Sequence, residues 1–158
     1  TRSSMARYAN SLINLYRQQI LMTPFMLVVT VEHIGHAEAF YGGLLGCEKG
    51  RWSEQWIDWN FFGHQLVTHL VAVMPSLPKH NQVDNQAVPV PHFGVVLKWD
   101  DWQELASKLR TASIDFMIEP YIRFEGQAGE QATMFFLDPC GNALEFKAFK
   151  DIHQLFAN

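Results

Sequence analysis

Cysteine is scarce in this chain: Cys47 and Cys140 are the only two among 158 residues, and they form no spaced framework. That excludes a disulfide-stapled scaffold and points to a reducing compartment, the cytoplasm by default. Charge is also sparse, at 18% of residues, with 12 basic against 16 acidic side chains and a net charge of −4. Such a balance argues against a nucleic-acid footprint. No apolar run reaches the length of a membrane span, since the longest, such as Phe25 to Val31, are strand-sized. There is no nucleophile triad, no glycine loop of phosphate-cradling type and no redox cysteine pair.

What is present is apolar content, 48% of residues, enough for a chain of this length to bury a single core. The segment from Thr1 to Met22 carries Arg2, Arg7 and Arg17 and no acid, yet it has neither a cleavage-like small-residue pattern nor a compact apolar centre, so a targeting peptide is rejected. Leu12, Ile13, Leu15, Tyr16 and Ile20 instead suggest an appended helix that Pro24 stops. Residues 1–22 are therefore expected to be a helical extension, 23–150 the main domain and 151–158 a tail.

Within the main domain the run Phe25 to Val31 is β-branched and predicts a strand. His36 to Leu45 places Ala37, Phe40, Tyr41, Leu44 and Leu45 on one helical face, with Gly46 where a helix-ending glycine belongs. A weak strand at Glu48 to Trp52 and two stronger ones, Trp56 to Phe62 and Gln65 to Val73, follow, the last two joined through Gly63-His64. Met74 to Pro91, with Pro75, Pro78, Pro89 and Pro91, reads as a long surface loop. The pattern then restarts: a strand at His92 to Trp99, a helix capped by Asp100 with Trp102, Leu105, Ala106 and Leu109 inward, and strands at Ile118 to Phe124, Ala132 to Leu137 and Ala143 to Phe149. The fold class is α+β, two consecutive βαβββ modules over 25–73 and 92–149 with a repeat period of roughly 66 residues.

Three segments resemble signature stretches of the vicinal oxygen chelate superfamily: Ala39-Phe40-Tyr41-Gly42-Gly43-Leu44-Leu45-Gly46-Cys47, Pro91-His92-Phe93-Gly94-Val95-Val96-Leu97, and the run from Phe135 to Phe146 containing Asp138-Pro139-Cys140-Gly141-Asn142 and Glu145. The resemblance spans about residues 24–150. It implies that each module curls its mixed sheet into half a cup and that strand residues of both converge on a metal, nearest in kind to predicted extradiol-type dioxygenases. His92 and Glu145 stand where such proteins keep a His and a Glu ligand. A carboxylate inside a sheet cup costs several kcal/mol unless paired or metal-bound, which supports the same reading; the plain alternative for Glu145 is an ion pair with Lys147 or Arg123.

The family's other first-strand His is missing, and Met26 takes its place, a thioether being a poor iron(II) ligand beside imidazole. His69 is the expected substitute, because alternation puts Gln65, Val67, His69 and Val71 on one face; a core histidine bonded to backbone is the alternative. His64, at a turn, competes weakly, and His33, His36, His80 and His153 are expected to be solvated. Trp56 and Trp59, with Phe61, are candidates for an aromatic substrate wall, against the commoner role of strand aromatics as core. Arg123 and Gln131 are candidates for gripping an anionic or carbonyl group, against simple solvation.

The resemblance thus implies a metal-dependent oxygenase of a small, vicinal-oxygen substrate. Iron(II) is favoured, with zinc, nickel and manganese as alternatives. Two rival readings stay open: a glyoxalase- or isomerase-like lyase, and a metal-free binding protein of the resistance type, which Met26 favours. A homodimer is expected, with no nucleic-acid or membrane partner.

Overall fold

The computed structural model describes residues 23–76 and 79–157. The proposed helix over 1–22 lies outside the described residues. Among the described residues ten strands form, in chain order, β1 (Met26–Val31), β2 (Glu48–Trp52), β3 (Trp56–Phe61), β4 (His64–Leu70), β5 (Lys79–Val83), β6 (Gln86–Val90), β7 (Phe93–Leu97), β8 (Phe116–Arg123), β9 (Gln131–Leu137) and β10 (Ala143–Phe149). They make two four-stranded mixed sheets, ordered β1-β4-β3-β2 and β7-β10-β9-β8, and a separate β5-β6 ribbon. In each sheet the first strand runs parallel to the last strand of its module, β1 beside β4 and β7 beside β10. The mixed α+β fold of two βαβββ modules read from the sequence is what the chain adopts.

Alternation decides which face of each sheet is dry. Leu27, Val29 and Val31 of β1 join Ile57, Trp59, Phe61 and Leu66 in one core, and so do Phe93, Val95, Leu97, Ala132, Met134, Phe136, Leu144, Phe146 and Ala148 of the second sheet. The helix α1 (Ile34–Ala37), which widens into a π turn over Glu38–Leu44, and α2 (Trp99–Thr111) cover these faces. The first helix thus begins before the expected His36. Within its π turn Gly42 packs closely on the Trp59 ring, which a Cβ there would meet at 3.1 Å. Lys98, not Asp100, caps α2, and Asp100 falls in its first turn, where a negative charge suits the helix dipole.

The two modules are tied through the Asp138 turn. Asp138 Oδ1 accepts from the amides of Cys140 and Asn142 at 2.9 Å each, its Oδ2 accepts the Tyr41 hydroxyl at 2.8 Å, and Asn142 Nδ2 donates to the Thr30 carbonyl at 2.8 Å. The most specific stretch of the sequence therefore binds α1 and β1 to the second sheet. Burial and the Asp138 carboxylate hold the Tyr41 phenol well above its ordinary range, so it stays a donor.

The segment expected to be a long loop is instead the β5-β6 hairpin. Asp84 and Asn85 both take positive φ, 48° and 62°, the two-residue turn that Asp and Asn tolerate best after glycine. Pro89, within β6, is admitted because an isolated ribbon has free edges. No helix among the described residues is long and apolar enough to cross a membrane.

Candidate functional site

The second sheet's outer face, turned away from α2, holds the polar cluster. Glu145 of β10 stands beside Gly94 of β7 and opposite Phe135 of β9, and Thr133 and Lys147 pair one step further along the same face. Glycine is required at 94, because a Cβ there would lie 1.6 Å from the Glu145 carbonyl oxygen. His92 enters just before β7, and its Nε2 lies 3.2 Å from Glu145 Oε2. The other Glu145 oxygen accepts the Thr133 hydroxyl at 2.7 Å and lies 3.3 Å from Lys147 Nζ.

The hairpin roofs this face. Val88 of β6 packs with Ile118, Tyr121 and Phe135 in a small second core, and the Pro89 carbonyl accepts from His92 Nδ1 at 2.6 Å. Beneath it lies a cavity of about 200 Å³ walled by His92, Tyr121, Arg123, Thr133, Glu145 and Lys147, with Val88, Ile118 and Phe135 on the apolar side. Arg123 reaches it because β8 shifts register twice against β9, between Phe116 and Ile118 and again between Ile118 and Tyr121. Bulges of this sort re-aim side chains, and Pro120, with no amide to offer, sits in the second. Arg123 then pairs with Gln131, and its guanidinium meets the Asp84 carboxylate at the hairpin tip.

No protein-family model matches the chain, and no curated protein matches it. Solved structures do. A glyoxalase/bleomycin resistance protein/dioxygenase from Alicyclobacillus acidocaldarius is 29% identical at a TM-score of 0.69, covering 85% of this chain and 96% of that one. The chain's structural neighbours are glyoxalase/bleomycin resistance/dioxygenase proteins of the vicinal oxygen chelate superfamily. Two more distant members of the fold are fosfomycin resistance protein FosX from Listeria monocytogenes (12% identity, TM-score 0.61, 85% of this chain and 98% of that one) and lactoylglutathione lyase from Agrobacterium tumefaciens (15%, 0.56, 86% and 97%).

Against this vicinal oxygen chelate frame the expected residues divide. His92, Glu145 and Arg123 share one cavity. Gln131 lies beyond its wall, at the end of β9 next to Arg123. His69 and Met26 lie on the first sheet, on the side away from its core as alternation required, and both are exposed. No group of three or more His, Cys, Asp or Glu side chains placed to hold a metal occurs among the described residues, so His69 does not meet His92 and Glu145 within one chain. Trp56 shares that open side. Trp59 does not: it is buried against Tyr41 and Gly42 and donates from Nε1 to Thr68 Oγ1 at 3.1 Å. The aromatic wall expected of Trp59 and Phe61 is core: Trp59 lies in register with Leu66 of β4, and Phe61, though opposite His64, is buried in the same cluster.

Lys147, Thr133 and Tyr121 complete the cavity and were not singled out as pocket residues from sequence. Lys147 and Thr133 share the parity of Glu145 and Phe135 and could have been found by alternation; Tyr121 needed the bulge at Pro120.

The donor atoms can be tested against the divalent metal that the superfamily implies. A carbonyl only accepts, so the Pro89 contact fixes the His92 proton on Nδ1 and leaves Nε2 of the neutral ring with a lone pair facing a carboxylate oxygen. Two acceptors 3.2 Å apart need a cation between them, a proton or a metal. The outer partners also match what orients metal ligands, a carbonyl behind the imidazole and a hydroxyl on the second carboxylate oxygen. The pair fits as two of the three protein ligands that a catalytic ion ordinarily takes.

Proposed function

We propose that this chain is a metal-dependent vicinal oxygen chelate enzyme in which His92 and Glu145 hold a divalent ion, iron(II) by preference, and a small substrate with two adjacent oxygens is oxygenated in the extradiol manner. The observation that carries the reading is the approach of His92 Nε2 to the Glu145 carboxylate at 3.2 Å, each side chain with its own supporting hydrogen bond. When bound, the ion supplies Lewis acidity and open positions for paired substrate oxygens. The chain's own residues do the rest: Pro89 orients the imidazole, Thr133 holds the carboxylate, and Val88 with Phe135 and Ile118 keeps water from one wall.

A lyase of the glyoxalase kind is the weaker reading. Leu27 pairs with Leu66 as Phe93 pairs with Leu144, so the first-module counterpart of Glu145 is Val67, with no second carboxylate there. A metal-free binding role is favoured by one contact, that of Lys147 on Glu145. Metal analysis of protein purified without chelators separates the two: about one equivalent of iron, lost in Glu145→Gln, supports the enzyme, and no bound metal supports the binder. The reading includes a symmetric pair of copies, supported by the open first sheet, where Phe25 and Met26 are 65% and 59% exposed. A monomer by sedimentation at micromolar concentration would count against that pairing.

A further inference from the structure

We infer that the cavity beside His92 and Glu145 takes a small organic carboxylate, gripped by Arg123 and Lys147, and that Asp84 on the hairpin occupies the carboxylate's place until it arrives. The inference rests on the reading that this cavity is the working site.

Two observations on one surface carry it. First, Arg123 is the only described residue with a buried side-chain nitrogen or oxygen lacking any partner, its Nε, although the group lines a polar cavity. A buried charged donor left unmade is costly, so the Nε edge of the guanidinium is suited to an acceptor that the described residues do not supply. Second, the one carboxylate that does reach Arg123 comes from Asp84, which is half exposed at the tip of a two-residue turn. It holds the guanidinium from the rim rather than from inside.

Size and lining narrow the class. About 200 Å³ is below the roughly 300–1,000 Å³ of pockets for drug-sized ligands. Phe135, Ile118 and Val88 supply an apolar lining, Tyr121 adds a hydroxyl-bearing ring, and Arg123 and Lys147 line the same cavity. A compact planar acid matches: its apolar body against Phe135 and Val88, its carboxylate forked on Arg123, which presents donors in the geometry a carboxylate accepts. The hairpin then acts as a latch, because the anion and Asp84 compete for the same guanidinium.

Benzoate and its neutral isostere benzamide are the probes, titrated into metal-stripped protein by calorimetry and followed by NMR shifts of cavity residues. Benzoate is expected to bind, and benzamide about tenfold or more weakly. Arg123→Met is expected to lower benzoate affinity about tenfold or more, and Asp84→Asn to raise it several-fold by removing the internal competitor. Equal binding of the two probes, or benzoate affinity unmoved by Arg123→Met in a folded variant, overturns the inference. Should Arg123→Met not fold, Asp84→Asn decides, and no gain in benzoate affinity refutes the latch. Because metal is absent throughout, failure here is distinct from failure of the metal reading, which would show as no iron(II) uptake with benzoate binding intact.

Discussion

The two modules share one backbone plan and differ on the face that plan leaves free. Matching their core registers sets Met26 against His92, Val28 against Gly94, Val67 against Glu145, Trp56 against Thr133 and His69 against Lys147. His92, Glu145 and Thr133 thus have apolar counterparts in the first module, Met26, Val67 and Trp56, and Lys147 has His69. The second face is roofed by the β5-β6 hairpin and packed into its own small core, while on the first face Met26 and Val28 are open. Duplication supplied the scaffold twice, and the chemistry was concentrated where a roof could lower the local dielectric and strengthen each polar contact.

Exchanging residues between the faces sharpens this comparison. The largest effect is expected at the strand pair nearest the site. Gly94→Val, which copies Val28, drives a side chain into the Glu145 backbone and should cost about 3 kcal/mol or prevent folding. Val28→Gly, the reverse copy, should cost about 1 kcal/mol, since only strand propensity and an exposed side chain are lost. Denaturant unfolding of both variants measures the asymmetry, and similar losses would mean that the close approach at Gly94 does not set the second face apart. Next in size is Thr133→Val, which removes the hydroxyl bound to Glu145 without altering bulk. Outer ligand partners typically govern 10–100-fold in metal affinity, so iron(II) titration under anaerobic conditions should weaken by about that factor. An unchanged affinity would leave Glu145 without need of its partner.

The contact joining the modules gives a smaller effect. Tyr41→Phe strands Asp138 Oδ2, leaving it only the side-chain amide of Asn142, and should lower stability by about 1–2 kcal/mol. A loss near zero would show that the Asp138 turn and the core alone join the halves.

The duplicated plan was legible because its signals are local: β-branched runs, Gly46 after a helix, Asp138-Pro139 before Glu145. Parity along β10 and β4 was enough to choose the faces of Glu145 and His69. What was hidden depends on distance and on irregularity. Strand parity tells which face a residue takes but not which sheet it joins in space, so His69 was expected beside His92 although it belongs to the other module's open face. The open choice for Trp59 between wall and core is decided once alternation within β3 is carried across to Leu66, its core neighbour. Pro120 was the available clue to Arg123, as a proline inside a strand marks a bulge and reverses the parity beyond it. The hairpin was concealed by its prolines, which read as loop.

The smallest effect concerns the two cores rather than the two faces. Cys47 is a buried thiol in the first module's core with no counterpart in the second, and burial pushes its pKa up from 9.0 to about 11, against a slight opposing pull from Lys108. A raised thiol pKa means that the folded state holds its proton where the unfolded chain has released it. Stability from this group is therefore fully present below about pH 9 and falls as pH rises towards 11. The parent should lose Tm across that window, about 2–4 °C for each 1 kcal/mol, and Cys47→Ala should lose less over the same range despite a lower starting Tm. Tyr41 adds a further decline above pH 10 in both proteins, since its phenol is held higher still, so the difference between the two curves isolates the thiol. Parallel curves from pH 8 to 11 would show that the first core accommodates a thiolate, and that the modules' interiors do not differ in the way their outer faces do.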